Sequence, residues 1–317
     1  MWKRIVAVAL MLLILLGGIV VLFPDATAER LIALERGRAG LSEQRIDAGG
    51  WNWPYLVGGP EDAPVIVMVH GFSADKDNWT RFAAHFTGDY RVIAPDLPGF
   101  GEQPYRDGED YRLAAQVERL RAFIEALGLE SVHMVGNSMG GHITALYALR
   151  YPAALRSAGL FNNAGIVSPE MPDMARQLQR GVNPLLVDSQ EDFARVLRYT
   201  MEQPPVIPWP VQPYLARQAL AKRGSNAAIF EQYKTDRASA LDDRFADIQP
   251  PVLVLWGRQD RVLDVSAVEV MARHRPETLT VILEDTGHLP MIERPAESAA
   301  AYRAFLRGAT DGEPQPQ

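Results

Sequence analysis

The stretch Gly136-Asn137-Ser138-Met139-Gly140 decides how this chain is read. It follows the apolar run Val132-His133-Met134-Val135 and opens the helical stretch from Gly141 to Arg150, so it is expected to turn a strand sharply into a helix. A bend of that kind brings the backbone close to its neighbours, and the flanking glycines leave room for it. Ser138 then stands exposed on a strained tip, where a nucleophile belongs. A G-x-S-x-G match taken alone is also compatible with an ordinary Gly/Ser turn. The rest of the chain decides between the two.

Val252-Leu253-Val254-Leu255-Trp256 reads as a buried parallel strand, and Gly257-Arg258-Gln259-Asp260 leaves its end. Leu279-Thr280-Val281-Ile282-Leu283 is another such strand, followed by Asp285-Thr286-Gly287-His288. Ser138, Asp260 and His288 therefore leave one edge of a sheet, in the order nucleophile, acid, base. Of the six histidines, most read as solvated or hydrogen-bonded loop residues, whereas His288 follows the last strand, downstream of the other two groups. Asp264 and Asp285 are rivals of Asp260 for the acid. Upstream, Pro64-Val65-Ile66-Val67-Met68-Val69 runs into His70-Gly71-Phe72-Ser73. The backbone N–H groups of Phe72 and Met139 are the donors expected to face a developing oxyanion. His70 reads as a structural hydrogen-bonding residue beneath that loop.

His70-Gly71-Phe72-Ser73-Ala74-Asp75-Lys76-Asp77-Asn78-Trp79, Pro95-Asp96-Leu97-Pro98-Gly99-Phe100-Gly101, the elbow pentapeptide with Gly141, and Gly287-His288-Leu289-Pro290 together resemble the α/β-hydrolase superfamily over residues 45 to 308. Within it, the first motif behind an N-terminal apolar segment is most similar to the membrane-anchored monoacylglycerol lipases and to bacterial lipase and phospholipase A relatives. The resemblance implies a triad of Ser138, Asp260 and His288 with Phe72 and Met139 as oxyanion donors. It favours Asp260 over its rivals by spacing, and it makes Asp96 structural.

Composition narrows the chemistry. A chain of 317 residues is compatible with one α/β core carrying an insertion. Without cysteine there is no disulfide scaffold, thiolate nucleophile or Cys-ligated metal. A net charge of -7 argues against nucleic acid as a partner. Phosphate-cradling glycine loops and zinc-protease spacings are missing, so catalysis without cofactor or metal is expected.

Ile5 to Phe23 is free of charge and preceded by Lys3-Arg4. At about 1.5 Å per residue it nearly spans a ~30 Å hydrocarbon core. A retained transmembrane anchor is the reading preferred; a signal cleaved after Ala26-Thr27-Ala28 is the alternative, although signal h-regions are usually shorter, about 7 to 15 residues. Either way Lys3 and Arg4 stay in the cytoplasm and the enzyme lies on the periplasmic side of a bacterial inner membrane. Residues 26 to 41 read as a juxtamembrane helix against the bilayer or the hydrolase body, or as a solvated linker helix. Gly17-Gly18 could let two anchors approach, a weak pointer to a homodimer.

Strands near 65–69, 91–95, 132–135, 157–161, 252–256 and 279–283 alternate with helices near 77–87, 112–127, 139–150, 265–273 and 296–307, the pattern of a mostly parallel, doubly wound sheet. Ser42–Asp47 and Trp53–Val57 suggest an added edge hairpin. About ninety residues separate strands 157–161 and 252–256, with helical patterns near 170–181, 190–202, 212–223 and 226–239, and are expected to cap Ser138. The division expected is an anchor over 1–24, a juxtamembrane helix over 25–41, a core over 42–164 and 249–308, a helical cap over 165–248 and a disordered tail over 309–317. The chain thus reads as a membrane-anchored serine hydrolase of acyl glycerides or phospholipids. The alternative is a carboxylesterase or a C–C bond hydrolase acting on soluble substrates.

Overall fold

Apolar runs without polar alternation are suited to strands buried on both faces, and the computed structural model, which describes residues 2–236 and 239–310, places them so except at 279–283, expected buried but found at the sheet edge with Leu279 and Thr280 exposed. The strands are β1 (Leu41–Ala48), β2 (Trp51–Gly58), β3 (Val65–Val69), β4 (Arg91–Pro95), β5 (Val132–Asn137), β6 (Leu155–Phe161), β7 (Val252–Gly257) and β8 (Leu279–Leu283). They form one sheet in the order β1-β2-β4-β3-β5-β6-β7-β8. β1 and β2 are an antiparallel hairpin added to the edge, as expected, and the pairs from β4 to β8 are parallel. Gly49 and Gly50 close that hairpin with φ of 56° and 80°, the left-handed pair that a two-residue primed turn requires.

Helices cover both faces. Leu120 and Phe123 of α4 (Leu113–Ala126), Ile143 of α5 (Met139–Arg150) and Met271 of α10 (Ala267–His274) pack on one side. Phe82 of α3 (Thr80–Ala83) and Tyr302 and Leu306 of α12 (Pro295–Thr310) pack on the other. The helix expected over 77–87 is shorter. A tight turn at Lys76–Trp79 leads into α3, after which His85 N–H bonds Phe82 O and Phe86 N–H bonds Ala83 O, the i→i+3 pattern that tightens a helix out of register. Between β6 and β7 the insertion folds as α6 (Asp173–Gln179), α7 (Gln190–Thr200), α8 (Val211–Ala221) and α9 (Arg223–Lys234). Ser189 caps α7 by accepting from the Asp192 amide.

The sheet order has one topological switch. The chain steps from β3 outward to β4 and then returns to the other side of β3 to form β5, so the carboxyl ends of β3 and β5 lie side by side, with Val69 opposite Gly136. Connections leave in opposite directions there, which opens a crevice. The loop at Gly71 and the turn at Ser138 both begin in it.

At the N-terminus, α1 (Trp2–Leu22) covers the apolar run and α2 (Pro24–Arg38) follows. Part of α1 has side chains outside the described residues, and among the described residues no helix is long and apolar enough to cross a membrane. The transmembrane span expected over 5–23 is therefore without support from the structure. α2 lies on the hydrolase body. Arg36 hydrogen-bonds Asp77 at 2.6 Å, Arg81 reaches Glu35 at 2.8 Å, and Asp25 pairs with Arg217 of α8. At the other end, residues 309 and 310 belong to α12 rather than to a tail, and residues 311–317 lie outside the described residues.

Candidate active site

The elbow is built by contacts that only glycine permits. A Cβ on Gly136 would lie 2.1 Å from Gly140 O, and one on Gly140 would lie 2.2 Å from Val69 O. Ser138 itself adopts φ 56° and ψ -117°, a conformation that costs a non-glycine residue on the order of 1–3 kcal/mol and persists only where neighbours enforce it. Its N–H donates to Phe161 O at 2.9 Å, and its carbonyl accepts from the amides of His142 and Ala164 at 3.0 and 3.1 Å. The backbone is thus pinned on both sides while the side chain lines a cavity.

The structure brings Asp260 and His288 together. His288 Nδ1 donates to Asp260 Oδ2 at 2.8 Å, both side chains being almost fully buried. The other carboxylate oxygen, Oδ1, accepts from the backbone amides of Val262 and Leu263 at 2.8 and 3.1 Å. Asn162, at φ 43° beyond β6, donates to Oδ2 at 2.7 Å. The rivals lie elsewhere. Asp264 accepts from the Ser266 amide in a local turn, and Asp285 is exposed. Asp96 is fully buried in an ion pair with Lys76, 2.9 Å from its Nζ, and accepts from the amides of Lys76 and Glu102.

His288 and Ser138 line the same cavity. Asn137 fixes their relation, since its Nδ2 donates to Phe161 O at 3.1 Å and to His288 O at 3.0 Å. Gly71 carries Phe72 to the elbow: a Cβ there would meet Asn137 O and Ser138 Cβ, each at 3.2 Å. Under this loop His70 is fully buried, accepting from Leu97 N–H through Nε2 at 3.0 Å and facing Gly71 O through Nδ1 at 2.8 Å. With Nε2 used as an acceptor, the proton sits on Nδ1 and donates to Gly71 O. Burial lowers its pKa, so the ring stays neutral.

The cavity has a volume of about 510 Å³. Leu185, Val187, Phe193, Leu197, Ile207 and Leu215 give the insertion an apolar wall, and α2 adds Leu31 and Ile32. A polar margin is formed by Ser73, Asp75 and Asn226. Burial, with the nearby Asp77 and Asp96 carboxylates, pushes Asp75 up to about 7. Asn162, Asn137, Asn226 and Glu293 were not legible as site residues in the sequence. Asn137 lies inside the elbow motif and was the only one with a local signal.

The family profile for the alpha/beta hydrolase fold matches residues 64–295. The chain belongs to that family. Lipase 1 of Psychrobacter immobilis is 35% identical over 281 residues, covering 88% of each chain. The monoacylglycerol lipase ABHD6 of Mus musculus is 28% identical over 259 residues, 78% of this chain and 77% of that one. Among solved structures, a membrane phospholipase A described as a bacterial virulence factor superposes with a TM-score of 0.90 at 42% identity, over 98% of this chain and 100% of that one. This alpha/beta hydrolase is an ester-cleaving enzyme.

Proposed function

We propose that the chain hydrolyses carboxylic esters of acyl glycerides or phospholipids through an acyl-enzyme on Ser138. The observation that carries this reading is the Asp260–His288 hydrogen bond opening onto an apolar cavity that Ser138 also lines. His288 takes the Ser138 proton as the oxygen attacks the ester carbonyl, and Asp260 holds the imidazole with its proton on Nδ1. The amides of Phe72 and Met139 receive the tetrahedral oxyanion. His288 then protonates the departing alcohol, and water, deprotonated by the same ring, releases the acid.

The substrate class rests on two supports: the cavity wall is mainly aliphatic and aromatic, and the lipases and the phospholipase A named above are relatives over most of the chain. The uncharged run Ile5–Phe23 supports residence at a bacterial inner membrane with the enzyme outside the cytoplasm, and a cleaved signal ending at Ala28 is the competing reading.

The test compares full-length protein and Ser138→Ala on monoacylglycerols, phospholipid vesicles and p-nitrophenyl butyrate. Loss of turnover in the variant by as much as about 10⁶-fold is expected, with a fluorophosphonate labelling Ser138 in the parent alone. Turnover of the short ester but of neither lipid would favour the soluble esterase. Intact mass of membrane-extracted protein distinguishes the anchor, which retains residues 1–28, from a chain beginning at Glu29.

A further inference from the structure

The helical insertion touches both loops that carry the reactive groups, and it does so through hydrogen bonds rather than apolar packing alone. At the His288 loop, one carboxylate gathers amides from two elements. Glu293 Oε2 accepts from Glu202 N–H at 2.7 Å and Gln203 N–H at 2.9 Å, in the segment that leaves α7, while Oε1 accepts from Gly287 N–H at 2.9 Å. His288 N–H in turn donates to Thr200 O, the last residue of α7, at 2.7 Å. The approach is close enough that a Cβ on Gly287 would lie 2.8 Å from Thr200 O and 2.9 Å from Glu202 N. The residue beside the base must therefore be glycine for the end of α7 to sit where it does.

At the Phe72 loop, α9 presents Asn226 and Phe230, four residues apart and on one helix face. Asn226 Nδ2 donates to Ser73 Oγ at 2.8 Å, and the Phe230 ring packs edge-on against Phe72 with centroids 5.3 Å apart. Ser73 holds φ at 58°, a left-handed conformation that is uncommon for a residue with a side chain. The Asn226 contact thus reaches this turn from outside the loop, one residue from the Phe72 amide.

We propose that the insertion is part of the catalytic frame, with Glu293 positioning the His288 loop and Asn226 positioning the Phe72 loop. Neither residue is offered as a group that touches the reacting atoms. Each acts through its neighbour, by fixing where the base or the oxyanion donor stands. This rests on the Ser138, His288 and Phe72 roles proposed above. The consequence is that an insertion displaced from α7 or α9 outward would leave a cavity able to admit an ester but unable to turn it over.

The experiment uses the full chain with Glu293→Gln or Asn226→Ala, assayed on p-nitrophenyl butyrate, which is too short to depend on the far apolar wall. Rates are normalised to the serines that a fluorophosphonate labels, so loss of folded protein does not enter. Gln keeps the size of Glu293 but offers one acceptor oxygen where the carboxylate offers two, so one arm of the clamp is lost. Because a displacement of about 1 Å in a reacting group costs on the order of 10²-fold, each variant is expected to lower kcat roughly 10-fold or more, with KM changed by no more than about twofold. The two variants carry different signatures. Asn226→Ala should weaken a tetrahedral boronate adduct in step with kcat, and Glu293→Gln should shift the acidic limb of the kcat–pH profile. An unchanged kcat per labelled serine in either variant overturns the proposal for that loop, as does a loss confined to KM. If no serine is labelled even in the parent chain, the nucleophile assignment itself has failed, and with it the premise.

Discussion

The loop after β8 and the loop after β3 each carry a buried histidine, and they use it in opposite ways. His70 is fully buried with both ring nitrogens occupied, one by Leu97 N–H and one by Gly71 O. It is a fixed strut. His288 commits Nδ1 to Asp260 and lines the cavity with the rest of the ring. What separates the strut from the ring proposed as base is therefore the free edge of the ring and the acidity of its partner, not depth of burial, which is 0% and 4% exposure for the two. The carboxylates divide in the same way. Asp96 is consumed by Lys76 and two amides, while Asp260 turns one oxygen to the backbone and one to the His288 ring.

The sharpest break of this comparison is His288→Ala, expected to remove turnover by a factor approaching about 10⁶ while leaving the melting transition cooperative. Steady-state kinetics beside a calorimetric scan checks both halves. Next comes Asp260→Asn. The new carbonyl oxygen would remain on the Val262 and Leu263 amides, turning the NH2 toward Nδ1 and Asn162. Imidazole would then be driven to the tautomer with its proton on Nε2, for a loss of kcat on the order of 10⁴-fold. A loss below tenfold would return Asp264 or Asp285 to contention.

His70→Leu should act on stability instead. It leaves the Leu97 N–H buried without its partner, at a cost of about 1–3 kcal/mol, and leaves the Gly71 carbonyl only the Ala74 N–H at 3.4 Å. Denaturant titration measures that cost, and a catalytic collapse as deep as that of His288→Ala with unchanged stability would contradict the distinction drawn between the two rings. The smallest effect expected is at Asp75. Burial and like charges raise its carboxyl to about 7 in the folded protein, above the ordinary unfolded value of about 3.9. Its contribution is then fully present below about pH 4 and lost as pH rises through 7. Asp75→Asn, which keeps an oxygen for the Asp77 amide, should match the parent at low pH and exceed it in unfolding midpoint at pH 8. Identical midpoints across the range would place Asp75 among ordinary solvated acids.

Lys76 illustrates why some of this frame was not legible in advance. In sequence it is a charge in a polar run, just ahead of the helix expected over 77–87. In the fold it is 1% exposed and joins Asp96 from β4's end and Glu102 from the next turn. That pairing spans connections whose meeting depends on β3 and β4 being neighbours. Glu293 is a similar case, since its partners at 202 and 203 are some ninety positions away in the chain.

Whatever rests on local repeats and sterics was legible along the chain. Apolar runs reported the strands, with β3, β4 and β8 bounded as expected. The spacing of glycines around Ser138 reported the elbow, because close backbone approach excludes a Cβ at 136 and 140 whatever the distant context. Tertiary structure alone showed which asparagines and glutamate hold the loops, and that α2 lies against the body and lines the cavity. Those outcomes depend on contacts between segments remote in sequence. A one-dimensional pattern carries the propensity of each segment to form, but the partner is chosen only when the sheet order fixes which strand ends share a crevice.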